Sequence, residues 1–173
     1  MKLGKIAHAC IVVEDISASA DHYSRLFGIK HWYELVRTSD LDLYYKGEKR
    51  NSDVKIWLGG KGHTAIELIQ SRGDENLYTT YLKDFGEGIH HLQYYVKNLK
   101  KAIAEFEKEG LQVLQSACFY SKGMKVDYVY MGKDEHSAAF ELIEATLPGG
   151  IKKGDLPFEI LLGRLTGNMK RVK

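Results

Sequence analysis

The feature that most constrains this chain is a pattern read twice. Placing His8 over His91, an offset of 83 residues, lays HACIVVEDI (8–16) over HLQYYVKNL (91–99). Each copy gives a histidine, a mostly apolar run ending in Val13 or Val96, a polar pair, then Ile16 or Leu99. The polar pairs end in Asp15 and Asn98, both good helix N-caps. Helical spacing follows: Ile16, Ala20, Tyr23 and Phe27 form one apolar stripe, and Leu99, Ile103 and Phe106 the other. Gly28 and Gly110 stand where C-terminal caps belong. Three strand-like runs come next in each copy, at 30–37, 53–60 and 64–70, then at 111–120, 125–132 and 138–145. Each copy therefore reads β-α-β-β-β, and the fold class is α+β with two tandem βαβββ modules. Module one spans 5–70 and module two 88–145, with a linker helix within 74–85. A module of this size buries only a marginal core alone, so pairing of the two into one unit over 1–146 is expected. Residues 147–173 form a C-terminal extension: Pro148-Gly149-Gly150 ends the second copy, and LPFEILLGRL (156–165) predicts a final helix.

The repeat singles out four residues. In GEGIHHLQYYV (86–96), His91 rather than His90 matches His8. Successive strand side chains point to opposite faces, so His90 is expected on the other face from His91, or in the turn before the strand. The last strand of each copy carries one acid inside an apolar run, Glu67 in one and Glu141 in the other. Glutamate is almost never fully buried without a partner, and an unpaired carboxylate taken out of water costs several kcal/mol or shifts its pKa strongly. Singly, a strand histidine packs in a core and a strand glutamate faces water. Two of each at repeat-equivalent positions point instead to a shared divalent cation held by His8, Glu67, His91 and Glu141. Mixed imidazole and carboxylate donors suit Zn, Ni, Co or Mn better than Ca.

The remaining signals are quieter. With 25 basic and 23 acidic side chains the formal net charge is only +2, which gives no footprint for nucleic acid or an anionic membrane. Two distant cysteines make no disulfide framework, and a reduced, cytoplasmic setting is expected. No apolar run approaches the roughly 18–20 residues that span a bilayer. Gly59-Gly60-Lys61-Gly62 reads as a hairpin turn, since it lacks phosphate-loop spacing. His22, His31, His63 and His136 fall at surface positions, and Cys10 reads as a small buried side chain. Tyr44-Tyr45 either covers a pocket or sits in a long loop. Gln93 and Tyr95 share the face of His91 and are the candidate substrate-binding residues.

Over roughly residues 5–146 the arrangement resembles the vicinal oxygen chelate superfamily, which includes glyoxalase I, methylmalonyl-CoA epimerase, extradiol dioxygenases and bleomycin-resistance proteins. The resemblance implies a mixed sheet curled around a divalent metal, with one ligand on the first and one on the last strand of each module: His8, Glu67, His91 and Glu141. A His-Glu-His-Glu set matches bacterial glyoxalase I in kind. GEGIHHLQYYV is similar to the GxGxHHxxxxV stretch of the epimerases, and Tyr81–Phe85 resembles the helix before it. The chain departs from the epimerases at Asn51, where they carry a glutamate base, and at Met131-Gly132, where they carry His-Pro. What the resemblance implies is an isomerase or epimerase that removes a proton next to a metal-held carbonyl through an enediolate-type intermediate. Glu141 is the first choice of base and Glu67 the second. A glyoxalase-type lyase is the alternative, followed by a non-catalytic small-molecule binding protein and an extradiol dioxygenase. A small-molecule substrate and a homodimer are the implied partners.

Overall fold

The computed structural model describes residues 3–60, 65–137, 139–153 and 159–173. Module one runs β1 (His8–Val12), α1 (Ile16–Phe27), β2 (Trp32–Leu35), β3 (Asp42–Tyr45), β4 (Glu48–Arg50), β5 (Ser52–Gly59) and β6 (Ala65–Gly73). A helix, α2 (Leu77–Phe85), leads to module two: β7 (Gly88–Tyr95), α3 (Leu99–Lys108), β8 (Gln112–Ser121), β9 (Met124–Gly132) and β10 (Ala139–Leu147). The tail adds β11 (Ile151–Lys153), α4 (Glu159–Thr166) and β12 (Met169–Arg171).

The helices start where side chains satisfy their free N–H groups. Asp15 accepts from the backbone N–H of Ser17 and Ala18 at 2.9 Å each, and Asn98 accepts from Lys101 at 2.9 Å. Gly28 closes α1 in the left-handed region at φ 67°, as expected. In α3 the cap is Glu109, one residue before Gly110. α1 packs Ile16 and Ala20 against Ile11, Trp32 and Leu68; α3 packs Ala102 against Val96, Val129, Met131 and Leu142. Both helices thus cover the outer face of the sheet and leave the inner face free to build a site.

The strands form one mixed sheet in the order β12-β2-β5-β6-β1-β7-β10-β9-β8-β3-β4, with β11 on β10. β1 and β6 are parallel, with His8 opposite Ala65 and Cys10 opposite Glu67. β7 and β10 repeat that register, with His91 opposite Ala139 and Gln93 opposite Glu141. The two halves meet at the antiparallel pair β1–β7, where His8 faces Gln93 and Cys10 faces His91. This register brings all four singled-out residues to the centre of the curl.

Three features depart from the expected pattern. The stretch around Tyr44-Tyr45 is not a long loop but the β3–β4 hairpin. Its two turn residues, Lys46 and Gly47, both have positive φ (53° and 77°), the geometry a two-residue hairpin turn demands. The hairpin extends the far edge of module two by pairing Leu43 with Ala117 and Tyr45 with Gln115. Tyr45 is fully buried, its hydroxyl 3.2 Å from that of Thr80. The predicted strand at 30–37 shortens to Trp32–Leu35. The tail contributes strand as well as helix: β12 pairs Met169 with Leu35 and Arg171 with Tyr33, closing the module-one edge. Unpaired edges invite association, and both ends of the sheet are dressed by segments outside the repeat. The turn residues Lys61 and Gly62, along with His63, Thr64, Ala138 and the first three residues of LPFEILLGRL, lie outside the described residues. His22, His31 and His136 are exposed, and both cysteines are free. Among the described residues no helix is long and apolar enough to cross a membrane.

Candidate metal centre

The identical registers carry His8, Glu67, His91 and Glu141 to one point on the inner face. All four are buried, and one ligand atom from each lies within 4.8 Å of the others. The Nε2 atom of His8 stands 3.3 Å from Oε2 of both Glu67 and Glu141; Nε2 of His91 stands 3.4 and 3.3 Å from the same two oxygens. Atoms that each lie ~2.1 Å from one ion are about 3.0–3.4 Å apart when neighbouring in its shell. The observed spacings fit that range. His91 Nε2, Glu67 Oε2 and Glu141 Oε2 are buried yet make no hydrogen bond. Buried polar atoms normally find partners, so convergent donors aimed at a common point fit a divalent ion. The cluster is chemically able to bind one.

The electrostatics agree with a site built for positive charge. Burial works against ionising Glu67, but His8 and then His91 outweigh it and hold the carboxyl below its usual range. Glu141 is likewise lowered: burial opposes it, while the His91 charge and contacts with both histidines prevail over repulsion from Glu67. Burial would lower His91, yet the charges of Glu141 and Glu67 raise it.

His90 does not take the opposite face. Cys10 faces His91 across the β1–β7 ladder while Ile11 faces Ile89, so His90 is the extra residue of a β-bulge. A bulge breaks strict alternation and lets adjacent side chains share a side. His90 is buried, its ring among those of Tyr78, Tyr81 and Tyr130, and its Nδ1 lies 2.9 Å from Nδ1 of His91. Burial and the neighbouring His91 charge push His90 well below the ordinary histidine value. A neutral His90 with its proton on Nε2 can accept the Nδ1–H of His91, which would turn His91 Nε2 toward a cation, as second partners do for metal-ligating imidazoles.

Two further residues were not singled out in the sequence. The Tyr130 hydroxyl donates to Glu141 Oε1 at 2.8 Å and lies 2.8 Å from the Tyr78 hydroxyl. Burial, with the charge of Glu141, keeps Tyr130 a phenol and hence a donor. The available signal was the alternation in VDYVYMG, which puts Tyr128 and Tyr130 on one face, and the pairing of Tyr130 opposite Glu141.

The centre opens into a cavity of about 170 Å3, small beside the ~300–1,000 Å3 common for small-molecule sites. His8, Glu67, Glu141 and Tyr95 line it. Gln93 is fully enclosed beside the centre, with neither amide atom hydrogen-bonded. Glu48, adjacent to the Asn51 position in sequence, is exposed and bridges to Arg50 at 2.7 Å; it does not line the cavity. Cys10 is fully buried, and burial followed by the Glu67 charge keeps its thiol protonated.

Comparison with known proteins places these features. The profile of the glyoxalase/bleomycin resistance protein/dioxygenase superfamily matches residues 7–140. No curated protein sequence matches the chain significantly. Among solved structures, a variant methylmalonyl-CoA epimerase from Streptomyces coelicolor, in complex with 2-nitronate-propionyl-CoA, superposes with a TM-score of 0.58 at 18% identity, covering 88% of this chain and 99% of its own. A methylmalonyl-CoA epimerase in complex with methylmalonyl-CoA and ammonium gives 0.54 at 19% identity, covering 88% and 100%. A hypothetical protein from Bacillus halodurans gives 0.57 at 22% identity, covering 80% and 92%. These likenesses speak for the fold. With the profile match spanning both modules, they show that the chain belongs to the glyoxalase/bleomycin resistance protein/dioxygenase superfamily.

Proposed function

We propose that the chain is a divalent-metal-dependent isomerase, epimerase-like in its chemistry, which moves a proton on a carbon next to a carbonyl. The observation that carries this reading is the convergence of His8, Glu67, His91 and Glu141 on one buried point at the head of a cavity. Those four residues would hold the ion, with Zn, Ni, Co and Mn as candidates. When bound, a divalent ion supplies positive charge to a substrate carbonyl oxygen and so makes the adjacent C–H more acidic.

The rest of the work falls to the chain. Glu141 takes the proton at Oε2, while the Tyr130 hydroxyl keeps hold of Oε1 and gives the carboxylate a fixed place to return to. Glu67, from the other module, is the second carboxylate facing the same space. Proton transfer by a positioned carboxylate typically contributes about 10²–10⁴-fold in rate. Returning the proton to the same carbon from the other face gives epimerisation; returning it to the neighbouring carbon gives a glyoxalase-type isomerisation. Gln93 is the candidate hydrogen-bonding partner of a substrate oxygen, and Tyr95 a wall of the cleft. The His-Glu-His-Glu donor set favours the lyase as the second reading.

The test is solvent deuterium wash-in, followed by NMR, on metal-loaded protein with methylmalonyl-CoA, with the glutathione hemithioacetal of a 2-oxoaldehyde, and with the uncharged 2-hydroxyacetophenone. Chelator-sensitive exchange at the carbon beside the carbonyl, lost in Glu141→Gln, is expected with one of them. Exchange that survives chelation, or none with any of the three compounds, would overturn the reading.

A further inference from the structure

The walls of the cavity narrow what enters it. Away from the centre they are hydrocarbon and aromatic: Ile56 and Leu58 from module one, Phe119, Val126 and Ile143 from module two. The C-terminal extension supplies the outer wall, through Leu162 and Gly163 of α4 and Met169 of β12. This wall is pinned in place. Val36 N–H donates to Asn168 O at 2.9 Å, and Trp32 N–H donates to Lys173 O at 3.0 Å. α4 sits so close to β12 that a Cβ on Gly163 would meet Met169 Cγ at 2.7 Å.

Among the described residues, no lysine or arginine lines this cavity. Lys122 reaches the rim beside Gly167, and other cations around the cavity have partners elsewhere. Arg37 donates to Val54 O at 2.6 Å, and Lys49 pairs with Asp42 at 2.6 Å; together with Arg50 they line a separate polar cleft beyond Phe119. Arg164, on α4, lies over the Tyr33 ring at 5.0 Å. A carboxylate or phosphate drawn into the apolar part would lose its water without gaining a paired counter-charge. Polar groups face the space too: Thr166 and Asn168 on the tail, and Tyr128 in module two. Tyr128 lines the cavity and is 3% exposed; Tyr78 acts on its hydroxyl, which has no partner within 3.5 Å. A buried hydroxyl without a partner carries a desolvation cost that a ligand acceptor relieves.

We infer that the cavity binds an uncharged, largely hydrocarbon or aromatic carbonyl compound, whose oxygen-bearing end lies at the four-residue centre and whose body is enclosed by the C-terminal extension, with the Tyr128 hydroxyl donating to a ligand acceptor. This rests on the reading of the centre as a metal-dependent site for carbonyl compounds. It separates this chain from enzymes whose substrate carries its own charge into the cleft.

The test uses the full chain loaded with Zn, with metal content measured on every sample. 2-Hydroxyacetophenone is the probe, and its ring-carboxylated analogue the charged counterpart, both titrated by calorimetry. The neutral probe is expected to bind roughly tenfold or more tightly than the carboxylate. Tyr128→Phe is expected to weaken the neutral probe about tenfold without changing metal content. Leu162→Lys, at a half-buried place in the outer wall where a long side chain reaches water, is expected to reverse the preference. Equal binding of the two probes, tighter binding of the carboxylate, or no binding of either overturns the inference. Metal-dependent binding without any proton exchange would leave the inference standing and remove only the catalytic reading; a chain that takes up no metal overturns both.

Discussion

The two halves of the sheet present the same pair, a buried histidine and a buried glutamate, in different surroundings. Glu141 lies opposite Tyr130 in its hairpin, whereas Glu67 lies opposite Leu58. Two residues further along, Ile143 faces Tyr128 and Ile69 faces Ile56. His91 is preceded by His90 on a bulge, while the residue before His8 is Ala7. Module two therefore surrounds its ligands with hydroxyls and a second imidazole, and module one surrounds its own with hydrocarbon. The lesson is a division of labour. The repeat sets where the four side chains stand, and the departures from the repeat give them different surroundings: a tethered, hydrogen-bonded carboxylate on one side and a plainer one on the other.

The most damaging changes should ignore this asymmetry. Glu67→Ala and Glu141→Ala should each lower metal affinity by more than the roughly 10–100-fold typical of losing a supporting partner, as measured by competition with a chromophoric chelator. If one of them keeps full affinity, the two modules do not share an ion. The next pair separates the modules. Tyr130→Phe should weaken metal binding about 10–100-fold with little loss of fold stability, because it removes the donor to Glu141 and no packed carbon. Leu58→Ala, at the matching position, should do the reverse. It should cost about 2–5 kcal/mol in denaturant unfolding through the cavity left behind, and leave metal affinity nearly intact. Similar behaviour of the two variants would mean the hydroxyl is incidental.

A smaller effect is expected at the bulge. His90→Ala should reduce metal affinity about tenfold, and His90→Asn, which keeps an acceptor, should recover part of it. No recovery would mean His90 acts by filling space.

The pH dependence is subtler still. A raised His91 is protonated over more of the neutral range, and protons compete with metal for Nε2. Metal affinity should therefore rise with pH until His91 has lost its proton. In the metal-free protein the sign is opposite for stability. A group whose folded pKa is raised stabilises fully below its unfolded value, about 6.5 for histidine, and that contribution is lost as pH rises through the folded pKa. Glu67 and Glu141 are lowered, so their contributions hold above the carboxylate range and are lost only at acid pH. From near-neutral pH upward, the Tm of the metal-free form should fall while that of the metal-loaded form should not. Parallel slopes would contradict the coupling between His91 and the two glutamates.

Much of this was legible in the sequence for a physical reason. Strand alternation and helix spacing are local, and repeated twice they fixed the β-α-β-β-β order and the equivalence of His8 with His91 and of Glu67 with Glu141. What escaped depends on contacts between distant segments. Nothing near His90 announces a bulge, because the extra residue is defined only by the register of β7 against β1. The Lys46-Gly47 turn was available as a short-range hairpin signal, yet the edge that receives this hairpin, β8, lies some seventy residues later. The tail reads as a final helix; that it walls a cavity follows only from its pairing with Leu35 and Tyr33. Tyr130 became meaningful only once its place opposite Glu141 was known.

The most direct measurement of the central claim is metal content per chain, by elemental mass spectrometry on untagged protein purified without chelator. The account predicts about one equivalent of a transition metal for the four converging ligands, lost on His91→Ala. Protein that carries none, and takes up none on reconstitution with Zn, Ni, Co or Mn, would contradict it and leave Glu67 and Glu141 as buried strand residues of a ligand-binding relative.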